Sequence, residues 1–193
     1  MKKDIILAGV GGQGILSIAT VLGEAALSNG LHIKQAEVHG MSQRGGDVQS
    51  NLRISSDPIH SDLIPYGKVD IIMSLEPMEA LRYVQELSLD GWVVTSSEPF
   101  VNIPDYPDKE EIYSHLKALP HTVMLDVEAL AKEAGAPAQA ANMVLLGAAV
   151  PMLDISYEAV REAVAKVFSR KGQDIVDKNL AALEAGYRHS VNR

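Results

Sequence analysis

Two short stretches hold the residue types and spacings that could do chemistry. The first, GVGGQG, sets Gly9, Gly11, Gly12, Gln13 and Gly14 in a Gly-x-Gly-x-x-Gly pattern. Glycines between a strand and a helix permit a tight turn and a close ligand approach, and they leave N–H groups and the positive helix end aimed at an anion. The second, EVHGMSQRGGDV, gathers His39, Ser42, Gln43 and Arg44 beside Gly45 and Gly46. Arg44 has the planar fork that meets a phosphate or carboxylate in bidentate fashion, and His39 titrates near neutral pH in its ordinary state. Read together, the two loops point to a phosphate-bearing ligand. The competing reading is structural: glycines that only let a strand and a helix pack closely, and loop side chains that only meet water.

Other chemistries are testable against the same residues. A dinucleotide site has an acidic ribose ligand about 20 residues beyond its glycines, and Glu37 stands near that distance, close to the end of the next strand. A nicotinamide-dependent dehydrogenase therefore stays open, as do an adenylating enzyme of the ubiquitin-activating type and a purely structural subunit. The six histidines show no short metal-ligand spacing, so a zinc site lacks its signature. GMSQR begins like a hydrolase nucleophile elbow, but Arg44 stands where the second glycine belongs. With no cysteine in the chain, iron–sulfur ligation by thiolates, disulfides and thiolate nucleophiles are all excluded for these residues.

Composition bounds the setting. The 193 residues are 47% apolar, enough for a sizeable core and consistent with a single domain over 1–193. Seventeen basic against twenty-five acidic side chains give a net charge of −8, so no broad cationic field is present and nucleic acid is not an expected partner. The longest apolar run, Met143 to Leu153, is broken by Gly147 and Pro151 and falls short of the roughly 20 residues that cross a bilayer. MKKDIILAGV reads as a first strand and not as a signal peptide. No membrane association and a cytoplasmic location are expected.

The elements that must position the two loops alternate between strand and helix. Lys3–Val10 reads as a strand, followed by a helix over Gln13–Asn29 with Ile15, Ile18, Ala19, Leu22, Ala25 and Ala26 on one face. Leu31–Val38 reads as a second strand, and Val48, Ser50, Leu52 and Ile54 as a half-exposed third. Val69–Leu75 is a buried strand, Pro77 starts a helix, and Trp92–Ser97 and Thr122–Val127 are further strands. Pro99, Pro104 and Pro107 mark an excursion, and a short helix follows near Glu110–Leu119. The remainder reads as helices, one capped by Ser156 with Val160, Ala163, Val164, Val167 and Phe168 inward, another marked by Val176, Leu180, Leu183 and Tyr187. The pattern predicts a Rossmann-like, doubly wound, mostly parallel α/β sheet with a helical C-terminal end.

GVGGQGILSIATVLGEAAL, AEVHGMSQRGGDVQSNLRIS, LIPYGKVDIIMSLEPMEALRY, NMVLLGAAV and KNLAALEAGY, which together run through most of the chain, resemble the gamma-type module of 2-oxoacid:ferredoxin oxidoreductases. EVHGMSQRGG and LEPMEALR are most similar to the indolepyruvate-type branch, in which this module is a separate polypeptide. The resemblance implies a non-redox subunit in the oxidative decarboxylation of a 2-oxoacid, indolepyruvate or another arylpyruvate, to an acyl-coenzyme A. It implies that thiamine diphosphate and iron–sulfur clusters sit in a larger partner subunit, which passes electrons to ferredoxin; the absence of cysteine and of a Gly-Asp-Gly thiamine motif agrees. By position, Gly9, Gly11, Gly12, Gln13 and Gly14 match the module's glycine loop, and Ser42, Gln43, Arg44, Gly45 and Gly46 its second loop, on the coenzyme A side. No catalytic residue and no metal ligand is expected in this chain.

Overall fold

The computed structural model describes residues 1–39, 45–101 and 103–192, with His39 described by its backbone alone. In β1 (Lys2–Val10), Ile5 and Leu7 alternate with Ile6 and Ala8, and all four are fully buried. A strand apolar on both faces needs a cover on each, the condition of a central strand in a parallel sheet. Ile5, Leu7, Ile71 and Met73 pack beneath α1 (Ile15–Ser28) and the C-terminal helices. On the other face, Ile6, Ala8, Ile72 and Val93 meet Ala80, Ile112 and Leu116 of α2 (Pro77–Arg82) and α3 (Lys109–Lys117).

The six strands run in the order β2-β3-β1-β4-β5-β6, with β2 His32–His39, β3 Asp47–Ser55, β4 Val69–Ser74, β5 Leu87–Ser96 and β6 Thr122–Leu125. β1, β4, β5 and β6 pair in parallel, while β3 runs antiparallel to both β1 and β2. The doubly wound, mostly parallel sheet expected from the pattern is therefore present, with one reversed strand set into it.

That strand corrects one expectation. β3 is not half-exposed: Ser50 through Ser55 are buried on both faces. It lies inside the sheet because β2 takes the edge, so its polar residues require partners. Arg53 finds them in Asp4, with Nε to Oδ1 at 2.7 Å and Nη2 to Oδ2 at 3.1 Å, and in the carbonyls of Ser61 and Leu63. What reads as a solvent position along the chain is a buried guanidinium that hydrogen-bonds through all three of its nitrogens.

The C-terminal helices are α4 (Val127–Glu133), α5 (Ala141–Ala149), α6 (Tyr157–Phe168) and α7 (Gln173–Val191). Ser156 caps α6 as expected, its Oγ accepting from Ala159 N–H. Every residue of α5 is buried, so it packs on all sides. It meets α7 backbone to backbone: a Cβ on Gly147 would stand 2.0 Å from the Leu183 carbonyl oxygen, and one on Gly186 would stand 1.9 Å from that of Val144. No helix among the described residues is long and apolar enough to cross a membrane.

Because the obstructing atoms are backbone, neither helix can yield by turning a side chain. Gly186→Ala is expected to destabilise the protein by about 3 kcal/mol, at the upper end for overpacking, measured as a lower urea midpoint with an unchanged slope.

Candidate functional site

The chain leaves β1 for α1 on one face of the sheet and β4 for α2 on the other, and the two connections diverge. Such a switch point opens a crevice at the carboxyl ends of the strands. Here it is a cleft of about 770 Å³, within the range of small-molecule sites. Its walls come from Gly11–Gly14 and Ser17, from Gly45, from Leu75 after β4, and from Ser96, Glu98 and Phe100 at and beyond the end of β5. Pro137–Asn142 and the stretch carrying Lys171, Lys178 and Asn179 complete it.

The structure brings the two sequence loops together. Gly11 N–H donates to Gly46 O at 2.8 Å, and Gly45 N–H to Gly11 O at 3.5 Å. Gly12 stands open on the cleft, where an added Cβ would meet nothing within 4 Å. At Gly9 a Cβ would lie 2.8 Å from Gln13 Oε1. Ser42, Gln43 and Arg44 lie outside the described residues, as does the side chain of His39.

Gln13 acts within the chain as a brace. Its Oε1 accepts from Val10 N–H at 2.7 Å, and its Nε2 donates to Leu75 O at 3.1 Å. The amide thus ties the glycine loop to the end of β4. Gly14 adopts a left-handed conformation, φ +89°, as the N-cap of α1. A Cβ there would sit 2.6 Å from Asn142 Nδ2, which itself donates to Gly14 O at 3.1 Å.

Electrostatics separate this edge from the rest of the molecule. Helices α2, α3, α4 and α6 are each capped by a side chain, from Glu76, Asp108, Asp126 and Ser156, and each carries an acidic residue in its first turn. Those groups answer the positive helix end. α1 and α5 have neither a side-chain cap nor an acidic first turn, and both begin on the cleft. The starts of α1 and α5 therefore share one crevice with no side-chain cap and no acidic residue of their own, although the Ala141 N–H is already taken by Ala138 O of the turn that leads into α5; helix starts of this kind favour an anion. Among the charged side chains of the wall, Glu98 pairs with Lys109 at 3.1 Å, Lys178 pairs with Asp174 at 2.6 Å, and Lys171 Nζ lies 5.3 Å over the Phe168 ring.

Glu37 is not part of this arrangement. In a classical dinucleotide fold the strand bearing the ribose ligand lies next to β1. Here β3 is inserted between them, which moves Glu37 away by one further strand spacing, about 4.8 Å. It is exposed and pairs across the ladder with Ser50. The physical basis of the nicotinamide reading is thereby removed.

Residues that the sequence did not single out include Asn142, Lys171, Lys178 and Glu76. Glu76 is fully buried beneath the cleft wall. Its carboxylate accepts from Glu79 N–H at 2.7 Å, from Phe100 N–H at 3.3 Å and from the Tyr106 hydroxyl. One side chain therefore caps α2 and holds the segment that presents Phe100 to the cleft. Loss of hydration raises its pKa, against the lowering effect of the hydrogen bonds from Tyr106, Glu79 and Phe100, while the nearby Glu79 charge raises it.

A carboxyl whose folded pKa is raised binds its proton more tightly in the folded state. Its favourable contribution is complete below the ordinary glutamate value of 4.5 and is lost as pH rises through the raised one. Glu76→Gln removes that titration. Urea midpoints across a pH series should show wild type losing stability relative to Glu76→Gln above pH 4.5 and then levelling off; parallel curves would refute this.

Comparison with known proteins adds an independent line. The sequence profile of the pyruvate ferredoxin/flavodoxin oxidoreductase family matches residues 4–189. The indolepyruvate oxidoreductase subunit IorB of Pyrococcus horikoshii is 39% identical over 199 residues, covering 97% of this chain and 96% of that protein. The keto/oxoacid ferredoxin oxidoreductase gamma subunit of Geobacter sulfurreducens superposes with a TM-score of 0.74 at 25% identity, covering 99% of each chain. The same fold occurs in the 2-oxoglutarate:ferredoxin oxidoreductase of Magnetococcus marinus, solved with 2-oxoglutarate, coenzyme A and succinyl-CoA bound. There the TM-score is 0.77 at 21% identity, and this chain matches over its full length but covers 31% of that one. A family profile spanning nearly all of the sequence and a full-length relative well above 30% identity establish that this chain belongs to the pyruvate ferredoxin/flavodoxin oxidoreductase family.

Proposed function

We propose that residues 1–193 act as one gamma-type unit, the small cluster-free subunit of an indolepyruvate- or arylpyruvate-type 2-oxoacid:ferredoxin oxidoreductase working in the cytoplasm, and that its cleft takes the phosphate-bearing end of coenzyme A. The observation that carries this reading is the convergence of the α1 and α5 N-termini, both uncapped and free of first-turn acids, on a crevice walled by the two glycine loops. Phosphate oxygens accept hydrogen bonds and carry charge, which is what such helix ends attract. The expected cofactor-binding residues Gly9, Gly11, Gly12, Gln13, Gly14, Ser42, Gln43, Arg44, Gly45 and Gly46 are assigned to this site. Gly11, Gly12 and Gly14 shape its floor, Gln13 braces it, and Gly45 and Gly46 bond to Gly11 beside it.

The overall reaction converts a 2-oxoacid, coenzyme A and two oxidised ferredoxins into an acyl-coenzyme A, carbon dioxide, two reduced ferredoxins and a proton. With no cysteine, this chain does not fit an iron–sulfur cluster, and electron transfer together with thiamine chemistry falls to a larger partner subunit. The part left to this chain is to bind and orient the carrier so that its thiol end reaches the partner's acyl group. The coenzyme A bound in the Magnetococcus relative and the indolepyruvate name of the Pyrococcus relative support the assignment.

Ser17, in the first turn of α1 and on the cleft wall, separates this reading from a purely structural one. Ser17→Asp supplies the missing first-turn acid, so it should stabilise the helix by about 0.3–1 kcal/mol. The same charge should repel the carrier and raise the coenzyme A KM of the assembled complex about tenfold or more, with the 2-oxoacid KM unchanged. A coenzyme A KM equal to wild type would return both loops to an interface role.

A further inference from the structure

Asn142 is the second residue of α5 and its only polar side chain, in the run ANMVLLGAA. It is 5% exposed, on the cleft wall. Its Nδ2 donates to Gly14 O at 3.1 Å. This fixes the amide's orientation, since turning it over would set Oδ1 against the Gly14 carbonyl, acceptor against acceptor. Oδ1 is thereby directed elsewhere, and it has no hydrogen-bond partner among the described residues. A buried acceptor without a donor is rare and costly, and it calls for a function. This one lies where the N-termini of α1 and α5 meet.

We propose that Asn142 is a specificity-determining residue whose Oδ1 accepts a hydrogen bond from a hydroxyl or amide N–H of the molecule held in the cleft, beside the anion attracted by the two helix ends. The assignment rests on the reading of the cleft as a site for a phosphate-bearing carrier. It sharpens that reading through hydrogen-bond polarity. Helix ends donate, so they select an acceptor such as an ionised phosphate. Asn142 Oδ1 accepts, so it selects a donor, which a fully ionised anion does not have. The favoured ligand carries both within one short stretch, as coenzyme A does with its phosphates and its ribose and pantetheine donors. A bare anion satisfies only half of the site. Oδ1 itself is buried, so the contact requires a small shift of the Asn142 side chain within the wall it shares with Gly14.

Two probes separate the donor contact from the support that Asn142 gives Gly14: coenzyme A, and sulfate as an acceptor-only anion. Dissociation constants are measured by calorimetry on the assembled complex without 2-oxoacid. Asn142→Ala is expected to weaken coenzyme A about tenfold while changing sulfate less than about twofold. Asn142→Leu, which fills the space with a side chain of the same branching but has no acceptor, should behave alike, so an effect of the cavity left by alanine is controlled. Equal weakening of both probes, or unchanged coenzyme A affinity, overturns the assignment and leaves Asn142 as a prop for Gly14. If wild type binds neither probe, the carrier reading itself fails and this assignment falls with it.

Discussion

The cleft depends on a close contact made far from the glycine loop. Because Gly147 and Gly186 carry no side chains, α7 lies directly on the backbone of α5. α5, with every residue buried, is then held on all sides and cannot shift without opening a void or a clash. Its first turn is thereby set against the start of α1, where Gly14 leaves room for the Asn142 amide. Glycines from three separated parts of the chain determine one wall, and that wall sets the angle at which two helix ends face the same space.

The chain is acidic overall, with a net charge of −8, yet the crevice at its switch point is bordered by two helix starts that carry no acidic residue. The two facts are compatible because they act over different ranges. Surface charges are screened beyond about 8 Å at physiological ionic strength, whereas a helix end acts through N–H groups in direct contact with what it binds. Acidic side chains sit at the starts of α2, α3, α4 and α6, where they answer the helix dipole. They are withheld from α1 and α5. α4 shows the contrast at close quarters: its start also borders the cleft, but Asp126 and Glu128 already answer it. Placement of a few carboxylates, and not net charge, decides where a phosphate would be welcome.

Much of the architecture was legible in the chain because periodicity reports burial. The alternation in β1, the one-sided face of α1, Pro77 at the start of α2 and the Ser156 cap were each readable and are each present. The resemblance to the gamma-type module is likewise borne out by the family match. β3 and β5 were less legible. Arg53 looks like a solvent residue until Asp4, forty-nine positions away, supplies its counter-charge. The pattern in the chain starts a strand at Trp92, but β5 begins at Leu87. Gly91 is a strand position where a Cβ would come within 2.9 Å of the Val69 carbonyl, beside an irregularity in the β4–β5 register. In both cases the deciding partner is remote in sequence.

By itself, the sequence determined that a glycine-rich turn joins the first strand to the first helix, that thiolate chemistry is absent, and which faces must be buried. These follow from residue type and local spacing, through backbone freedom, side-chain chemistry and period. Only the tertiary structure decided that a reversed strand displaces Glu37 from the glycine loop, that Gln13 spends its amide on Val10 and Leu75, and that Asn142 leaves an acceptor unanswered beside Gly14. Each of those outcomes is set by hydrogen-bond partners and strand neighbours that come together only when distant segments pack, so no local pattern in the chain encodes them.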